Sequence, residues 1–335
     1  MHISDIDYDL PEALIAQKPI EPRDAARLLV AGVAGVEHRI VKELADFIEP
    51  GDVIVVNDTR VLPARLSLQR RTGGSAEVLL LERRTEDGRL WEALVRPARK
   101  LKDGEVLEFF GKRVLAIGPR TAAGDTFVVE ILDDDPVGLI NRIGIMPLPP
   151  YIHSSLTDGE RYQTVYSRRA ASAAAPTAGL HFTPELMAAV REKGASIERV
   201  ELVVGLDTFK PISVENPLEH IIHSEFYNVE QTVLDACRSA NRVIAIGTTA
   251  TRALESALKR GELSGRTDLF ITPGYKWEIV DMMLTNFHMP RTSLLLMVEA
   301  FVGPRWREIY QIAITEKYRF LSFGDAMLLT RQDGK

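Results

Sequence analysis

Cysteine is nearly absent from this chain of 335 residues, which contains only Cys237. A single cysteine excludes an internal disulfide framework and a cysteine-rich metal site, and it fits a reducing cytoplasm. Long apolar runs are also missing, because the longest candidate, residues 294–302, has about half the length of a membrane span. The N-terminal residues are acidic and include no apolar segment, so we expect no signal peptide and a cytoplasmic protein.

An excess of positive charge is absent as well, since 41 Lys and Arg residues stand against 47 Asp and Glu residues, giving a net charge of −6. The whole chain therefore lacks the electrostatic signature of a nucleic-acid-binding protein. No Gly-x-Gly-x-x-Gly motif follows a predicted strand, and no phosphate-loop lysine motif is present. This excludes the usual dinucleotide-binding and methyltransferase modes of holding a nucleotide.

The spacing of short strands divides the chain into two parts. Residues 65–132 contain six short β-rich runs separated by turn residues, a pattern typical of a small antiparallel barrel. On both sides of this stretch, apolar strands alternate with helices, which indicates α/β layering. We therefore predict a large mixed α/β domain, residues 1–60 and 150–335, with an inserted small antiparallel β-barrel domain, residues 61–149.

Within the α/β part, the pattern predicts strands over residues 28–30, 51–56, 200–204, 242–247, 269–271 and 326–329. Predicted helices cover residues 41–47, 184–193, 248–259 and 306–316, and a further apolar helix begins at Leu294 with Ser293 as its cap.

Residues 174–183 (AAPTAGLHFT) form a loop by composition, and this loop carries Thr177 and His181. Pro176 stiffens the backbone, while Gly179 allows a turn or the close approach of a ligand. The residues that follow (TPE) are typical of a helix start, where a polar or anionic ligand is favoured. The alternative is a packed loop whose histidine is a buried structural residue.

Four further polar clusters border apolar elements. Residues 57–60 (NDTR) follow a buried strand, and residues 248–252 (TTATR) form a hydroxyl-rich helix start that would suit a carboxylate, unless the threonines merely cap the helix. Residues 285–288 (TNFH) precede a proline, and residues 318–325 (YRFLSFGD) would either stack on a base or pack in the core. Together with the loop at 174–183, these clusters predict one composite site, as in an enzyme.

Residues 220–225 (HIIHSE) place two histidines three positions apart. On a helix this spacing would put both on one face and suit zinc, but Pro217 and the β-rich residues 225–229 weaken the helical interpretation. We therefore predict no metal site. The two remaining interpretations are that the histidines make polar or substrate contacts, or that they simply pack in the structure.

Basic residues are concentrated locally in the predicted barrel. Between residues 61 and 120 the sequence has 13 Lys and Arg against 8 Asp and Glu, a local charge of +5. The densest part holds Arg96, Arg99, Lys100 and Lys102. These side chains would either form a solvated face or neutralise phosphates of a nucleic acid.

Taken together, these motifs resemble one family, the S-adenosylmethionine:tRNA ribosyltransferase-isomerases of queuosine biosynthesis. The resemblance covers nearly the whole chain. It rests on residues 57–65 (NDTRVLPAR), 147–152 (PLPPYI), 161–166 (RYQTVY), 175–183 (APTAGLHFT), 247–252 (GTTATR), 273–275 (PGY), 285–290 (TNFHMP) and 318–327 (YRFLSFGDAM). The chain departs from the family pattern at Val203, which replaces a histidine, and at Asp207, which replaces a glycine.

The resemblance implies a tRNA-modifying transferase and isomerase. Such an enzyme transfers the ribosyl moiety of S-adenosylmethionine to the aminomethyl group of 7-aminomethyl-7-deazaguanine at the anticodon wobble position of tRNA. The products would be epoxyqueuosine-tRNA, adenine and methionine. S-adenosylmethionine would be a co-substrate, with no prosthetic group and no membrane partner, and we expect a monomer. The implied fold, an α/β domain with an inserted barrel, agrees with the strand pattern.

The implied chemistry suggests roles for the residues of the polar clusters. The sulfonium acidifies the adjacent ribose carbon, so a base is needed, and adenine departs more easily beside an acid. We predict His181 or His288 as the base, and Asp58 as the acid or as a ribose partner. Arg60 or Arg252 would take the methionine carboxylate, while Thr177 and Thr249 would hold hydroxyls or that carboxylate. The other residues predicted to bind the co-substrate are Asn57, Gly179, Thr248 and Asn286.

Two rival functions belong to other classes of protein. A conventional methyltransferase is disfavoured by the missing glycine-rich strand–turn–helix motif. A tRNA-binding protein without catalytic activity would need no set of polar loops in the large domain, and it would be indifferent to S-adenosylmethionine.

Overall fold

A computed structural model of the chain describes residues 1–32, 35–121, 124, 126–154, 156, 158–205 and 211–333. The chain forms two compact units. The first comprises Met1–Thr59, Pro149–Arg168 and Pro176–Lys335, and the second comprises Arg60–Leu148 and Arg169–Ala175. In the sequence, the second unit is thus inserted into the first, and it also includes residues 169–175, which the predicted boundaries assign to the large domain.

The strands and helices are as follows. The strands are β1 (Arg27–Gly32), β2 (Gly35–Ile40), β3 (Val53–Asn57), β4 (Thr59–Val61), β5 (Arg65–Arg70), β6 (Ser75–Arg83), β7 (Leu90–Arg96), β8 (Val106–Phe109), β9 (Lys112–Arg120), β10 (Phe127–Ile131), β11 (Gly144–Ile145), β12 (Arg169–Ser172), β13 (Ser196–Leu202), β14 (Glu225–Asn228), β15 (Val243–Ile246), β16 (Ser264–Thr267), β17 (Met282–Asn286) and β18 (Ala326–Thr330). The α-helices are α1 (Pro136–Ile143), α2 (Pro184–Glu192), α3 (Gln231–Ser239), α4 (Thr248–Arg260), α5 (Ser293–Val302) and α6 (Trp306–Thr315). Short 3₁₀ helices cover Ile3–Ile6, Glu12–Leu14, Arg23–Ala25, Val41–Phe47, Gly159–Tyr162, Thr177–His181, Pro217–Glu219 and Gly303–Arg305.

In the described part of the first unit, nine strands form one sheet in the order β16-β14-β13-β3-β15-β17-β18-β1-β2. Strands β13, β3, β15 and β17 run parallel to one another, so their carboxyl ends meet at one edge. We call this the carboxyl edge. Strand β18 is antiparallel to β17, so the residues that precede β18 also reach this edge. In open α/β sheets, ligands bind beyond the carboxyl ends of the strands.

One hydrophobic core cluster of the first unit lies against one face of the sheet. Alternate residues of the central strands, such as Ile54, Ile244 and Leu284, pack with Phe182 and with Leu186 of α2. The strand β3 is buried at every position, which explains its continuous run of apolar residues. Helix α2 begins as predicted, since Thr183 accepts a hydrogen bond from the Leu186 N–H and Pro184 occupies the first turn.

In the second unit, six strands close into an antiparallel barrel. Neighbouring strands pair in the order β5-β6-β7-β10-β9-β8, and β8 pairs back with β5. These are the six β-rich runs of the sequence, and the predicted mixed α/β fold with a small antiparallel barrel is confirmed. Their alternating burial places one face of each strand in the barrel interior.

Several local predictions were wrong. Residues 269–271 form no strand, whereas the neighbouring strand β16 and the buried strand β17 were missed. Thr292 caps α5 in place of Ser293, because its side chain accepts a hydrogen bond from the Leu295 N–H. The predicted loop at 174–183 contains a 3₁₀ turn, Thr177–His181.

Candidate functional site

The carboxyl edge gathers most of the predicted site residues of the first unit. Asn57 ends β3, Thr248 and Thr249 follow β15 at the start of α4, and Asn286 ends β17. The 3₁₀ turn that carries Thr177, Gly179 and His181 packs beside them. A Cβ atom placed on Gly247 would lie 3.4 Å from Ala178 Cβ in that turn.

A hydrogen-bonded triad lies at the end of β17. Thr177 Oγ1 donates to Asn286 Oδ1 at 2.8 Å, and Asn286 Nδ2 lies 3.4 Å from His181 Nε2. The same amide nitrogen donates to the Leu321 carbonyl oxygen at 3.3 Å. Because the amide oxygen accepts from Thr177, the amide nitrogen faces the imidazole, and Nε2 is the nitrogen that carries the lone pair.

His181 is a neutral histidine at pH 7. Burial lowers the pKa of the imidazole to about 4, and the positive charges of Arg319, Arg23 and Arg161 act in the same direction, opposed by a hydrogen bond with the backbone of Arg23. A small cleft beside the ring is lined by Arg23, Arg161, Ser322 and other residues. The Arg23 guanidinium is held by the carbonyl oxygens of Gln163 and Glu160. The site therefore combines an uncharged imidazole with fixed positive charge.

The second histidine, His288, lies elsewhere. Its Nε2 is 3.0 Å from Thr285 Oγ1, and burial lowers its pKa to about 3. Thr285 and Asn286 are consecutive residues of β17, so their side chains project to opposite faces of the sheet. The structure thus places the two predicted bases against opposite faces of one strand.

Asn57 and Asp58, at the end of β3, contact other parts of the first unit. Asn57 is fully buried, and its amide bonds the backbone N–H and C=O groups of Leu202, which joins the ends of β3 and β13. Asp58 lies 4.0 Å from Arg199 Nη1. Burial raises the pKa of Tyr166, and the negative charge of Asp58 raises it further. The Tyr166 side chain packs against the 3₁₀ turn. Arg60, by contrast, belongs to the second unit.

Gly179 is explained by packing. A Cβ atom at this position would lie 1.9 Å from Tyr166 Oη and 2.9 Å from Thr164 Cγ2. Its backbone does not need a left-handed conformation, so the absence of a side chain serves the close approach of Tyr166. This contact, which the sequence prediction did not foresee, accounts for the glycine without a ligand.

The start of α4 is capped without threonine. Gly247 occupies the N-cap position at φ +92°, and no side chain caps the helix there. Thr251 Oγ1 donates to the Gly247 carbonyl oxygen at 3.1 Å, whereas buried Thr249 Oγ1 has no hydrogen-bond partner among the described residues. The alternative of ordinary threonine capping is therefore wrong, and Thr249 retains an unused hydroxyl at the helix N-terminus.

Arg252 is an almost completely buried cation. Its Nη1 forms an ion pair with Glu225 of β14, and Glu225 Oε1 accepts a hydrogen bond from the Gly205 N–H at 3.0 Å. The sequence analysis considered Glu225 only together with His220 and His223, and it did not predict the pairing of Glu225 with Arg252. Within the described residues, the Nε and Nη2 atoms of Arg252 have no hydrogen-bond partner. Arg252, which the sequence analysis predicts as a partner for the methionine carboxylate, is thus already paired with the carboxylate of Glu225. The Nε–Nη2 edge of its guanidinium remains unused among the described residues.

His220 and His223 line a cleft with Arg252 and Phe270. Residues 220–224 are not helical, so the helical spacing that would suit zinc does not exist here. In the described part of the chain, no group of three His, Cys, Asp or Glu side chains is arranged to hold a metal ion. Burial lowers the pKa of His220, and the nearby His223 adds to this effect.

The aromatic residues of the 318–325 segment are core residues. Tyr318 and Phe320 are fully buried and pack against Phe287 of the adjoining loop. Stacking on a base is therefore excluded for these two rings.

The two positions that depart from the family pattern lie after β13. The N–H of Val203 donates to the Phe226 carbonyl oxygen, and Asp207 lies outside the described residues.

One end of the barrel in the second unit carries the predicted basic stretch. Arg96, Arg99, Lys100 and Lys102 are all exposed there. Two other arginines hold the backbone of this segment. Arg70 donates to the Lys100 carbonyl oxygen at 2.9 Å, and Arg120 donates to the Ala98 carbonyl oxygen at 3.1 Å. We call this surface the basic barrel end.

The fold and the site define an α/β protein whose polar side chains converge on the carboxyl edge of a parallel sheet, as in many enzymes of this class. The family model described as queuosine biosynthesis protein matches residues 3–329, and the chain belongs to that family. None of the helices in the described part of the chain combines the length and the hydropathy that a membrane span requires.

Similar proteins cover nearly the whole chain. A protein from Symbiobacterium thermophilum, named S-adenosylmethionine:tRNA ribosyltransferase-isomerase, is 47% identical over 98% of this chain and 100% of its own length. A protein of the same name from Rubrobacter xylanophilus is 47% identical over 98% of both chains. The crystal structure of S-adenosylmethionine tRNA ribosyltransferase from Thermotoga maritima aligns with a TM-score of 0.55 and 36% identity, covering 97% of this chain and 99% of that one.

Proposed function

We propose that this protein is the S-adenosylmethionine:tRNA ribosyltransferase-isomerase of its organism. It transfers and isomerises the ribosyl moiety of S-adenosylmethionine onto the aminomethyl group of 7-aminomethyl-7-deazaguanine at the wobble position of tRNA. Epoxyqueuosine-tRNA, adenine and methionine leave the enzyme. The observation that carries this proposal is the similarity at 47% identity, over nearly full length, to relatives named for this activity.

The triad of Thr177, Asn286 and His181 supports a base at the carboxyl edge. A base must be uncharged to accept a proton, and burial keeps the pKa of His181 far below 7. In this proposal His181 Nε2 gives up its 3.4 Å contact with Asn286 Nδ2 and takes the proton from the ribose carbon next to the sulfonium. Thr177 and Asn286 orient the ring, and the neighbouring arginines favour anionic groups of the substrate.

His288 is the second candidate for the base, and its low pKa alone would also permit that role. The position of His288 supports a role as the base less well, because its imidazole contacts Thr285 on the other side of β17 from the triad. Asp58 remains the proposed acid or ribose partner, at the end of the neighbouring strand β3. The co-substrate would further contact Thr248, Thr249 and Arg252 of α4, and Asn57 at the end of β3.

The basic barrel end supports a docking role for the second unit. Four exposed cations within seven residues form a surface that suits the phosphates of tRNA. We propose that this unit is an inserted domain that holds the tRNA while the carboxyl edge performs the chemistry. The enzyme would act as a cytoplasmic monomer without a prosthetic group, which sedimentation and metal analysis of the purified protein would test.

Mass spectrometry of the complete reaction tests the proposed function. The protein is incubated with S-adenosylmethionine and tRNA that carries 7-aminomethyl-7-deazaguanine. Release of adenine and methionine together, with a ribosyl-derived mass gained by the modified base, is the expected result. Formation of S-adenosylhomocysteine and methylated tRNA would show a methyltransferase. Tight tRNA binding without any turnover would show a tRNA-binding protein.

A further inference from the structure

Three arginines of the first unit form a cluster of positive charge that is separate from the basic barrel end. Arg199 lies on β13, Arg191 lies in the last turn of α2, and Arg168 lies on the segment that follows the 3₁₀ helix Gly159–Tyr162. The backbone N–H of Arg168 donates to the Asp58 carbonyl oxygen at 2.8 Å, which attaches this segment to the end of β3. We call these three arginines the arginine cluster.

The arginines of the cluster repel one another. Burial lowers the pKa of Arg199, the positive charge of Arg168 lowers it further, and Arg191 adds to this effect. The opposing carboxylate, Asp58, lies 4.0 Å from Arg199 Nη1, which is long for an ion pair. Among the described residues, neither Arg168 nor Arg191 forms an ion pair. The cluster therefore holds an excess of positive charge, and an anionic partner would offset the repulsion.

The cluster is open to solvent, which favours an extended anion over a small enclosed one. Arg168 and Arg191 are exposed, and the Arg199 side chain is 29% exposed. Guanidinium groups suit the phosphates of a nucleic acid, because each planar group offers two parallel N–H donors to one phosphate. S-adenosylmethionine suits this surface poorly, since its sulfonium and ammonium groups outnumber its single carboxylate and like charges repel.

The cluster adjoins the residues of the proposed reaction. Arg199 Nη1 donates to the Tyr166 carbonyl oxygen at 3.4 Å, and the Tyr166 side chain packs against Gly179 of the 3₁₀ turn. Asp58, the proposed acid or ribose partner, contacts both Arg168 and Arg199. A polyanion bound to these arginines therefore lies beside the carboxyl edge.

We infer that the arginine cluster binds the phosphate backbone of the anticodon arm of tRNA, next to the nucleotide that is modified. This inference rests on the proposed function, and it gives the first unit an RNA-binding surface of its own. The phosphate contacts position the anticodon loop at the carboxyl edge. They do not read the base sequence, because every RNA carries the same phosphates.

Salt-dependent binding of two RNAs tests the cluster. The probes are a full-length tRNA and an RNA hairpin with only the anticodon stem and loop, and binding is measured without S-adenosylmethionine. The variant Arg168→Gln/Arg191→Gln is expected to bind both RNAs more weakly, by about 2- to 5-fold for each arginine, the range of exposed ion pairs. The slope of log K against log salt is expected to fall by about 0.7–0.9 for each lost phosphate contact.

Two further variants serve as controls. Arg168→Lys/Arg191→Lys keeps both charges and is expected to retain the salt slope. Arg238→Gln/Arg260→Gln removes two exposed arginines from the last turns of α3 and α4 and is expected to bind both RNAs as the wild type does. Thermal melting confirms folding. Arg168→Gln/Arg191→Gln is expected to melt no lower than the wild type, because the charges it loses repel Arg199.

Each alternative outcome has a definite meaning. Wild-type affinity and salt slope of Arg168→Gln/Arg191→Gln for both RNAs would overturn the inference. A loss confined to full-length tRNA would place the contact outside the anticodon arm and would also overturn it. Weaker binding of S-adenosylmethionine by this variant, in calorimetry without RNA, would assign the cluster to the co-substrate instead. Arginine-dependent RNA binding without any ribosyl transfer would uphold the surface and overturn the proposed reaction.

Discussion

Thr177 Oγ1 donates a hydrogen bond to Asn286 Oδ1 at 2.8 Å, which links residues 109 positions apart in the chain. The bond fixes the orientation of the Asn286 amide, and the amide nitrogen then faces His181 Nε2. A hydroxyl on a 3₁₀ turn thereby determines which atom of a strand-end amide meets the imidazole.

Removing the Thr177 hydroxyl is expected to lower kcat about 3- to 10-fold, because a hydrogen bond of this kind contributes about 0.5–1.5 kcal/mol. Thr177→Val leaves Asn286 Oδ1 without its donor and frees the amide to turn. The KM for S-adenosylmethionine is expected to change less than kcat in steady-state kinetics. Thr177→Ser restores a hydroxyl and serves as the control, so failure of this variant to recover kcat would contradict the orienting role.

Removing the imidazole of His181 is expected to lower turnover about 10²- to 10⁴-fold, the usual contribution of a general base. His181→Ala should leave tRNA affinity unchanged in a filter-binding assay. His153→Ala, at an exposed position, is the matched control. Near-normal turnover of His181→Ala would remove this residue from the mechanism, and the same measurement on His288→Ala would then decide for the other histidine.

Buried His181 is expected to make the protein less stable in acid. Its folded pKa is lowered to about 4, from 6.5, so between these values the unfolded chain binds a proton that the folded chain does not. Stability therefore falls as the pH decreases from about 6.5 toward 4. Urea unfolding at pH 7 and pH 4.5 is expected to show a pH-dependent loss smaller by about 2 kcal/mol in His181→Gln than in the wild type. An equal loss in both proteins would contradict the assignment, and His153→Gln is the control.

Adding a methyl group at Gly179 is expected to destabilise the protein by about 1–3 kcal/mol, because the new Cβ overlaps Tyr166 Oη. The double variant Gly179→Ala/Tyr166→Phe removes the overlapping oxygen and is expected to recover part of this loss in urea unfolding. Tyr166→Phe alone is the reference. If Gly179→Ala is as stable as the wild type but binds S-adenosylmethionine poorly, the glycine serves the ligand and the packing explanation is wrong.

Charge reversal at the basic barrel end is expected to weaken tRNA binding and to flatten its salt dependence. Each lost phosphate contact lowers the slope of log K against log salt by about 0.7–0.9. The variant Arg99→Glu/Lys100→Glu is compared with Lys112→Glu/Arg113→Glu, which makes the same charge change at the far end of β9. Equal affinities and slopes for both variants would show that tRNA docks elsewhere, while kcat at saturating tRNA should stay constant in either case.

The sequence alone determined the elements whose signals are local. Six β-rich runs between turn residues predicted the barrel strands, and the residues TPE predicted the start of α2, because strand alternation and helix capping depend on neighbours within a few positions. The same local signals failed at β17, where a buried strand ends in polar residues, and at residues 269–271, where an apolar run forms no strand.

Only the tertiary structure decided how the polar residues combine. Thr285 and Asn286 are adjacent in the sequence, yet the pleat of β17 directs them to opposite faces and separates the two candidate histidines. The pairing of Arg252 with Glu225 and the contact of Gly179 with Tyr166 likewise join different elements of the first unit. Such contacts depend on the order and direction of the strands in the sheet, which arise from the burial of the whole core and not from the preferences of neighbouring residues.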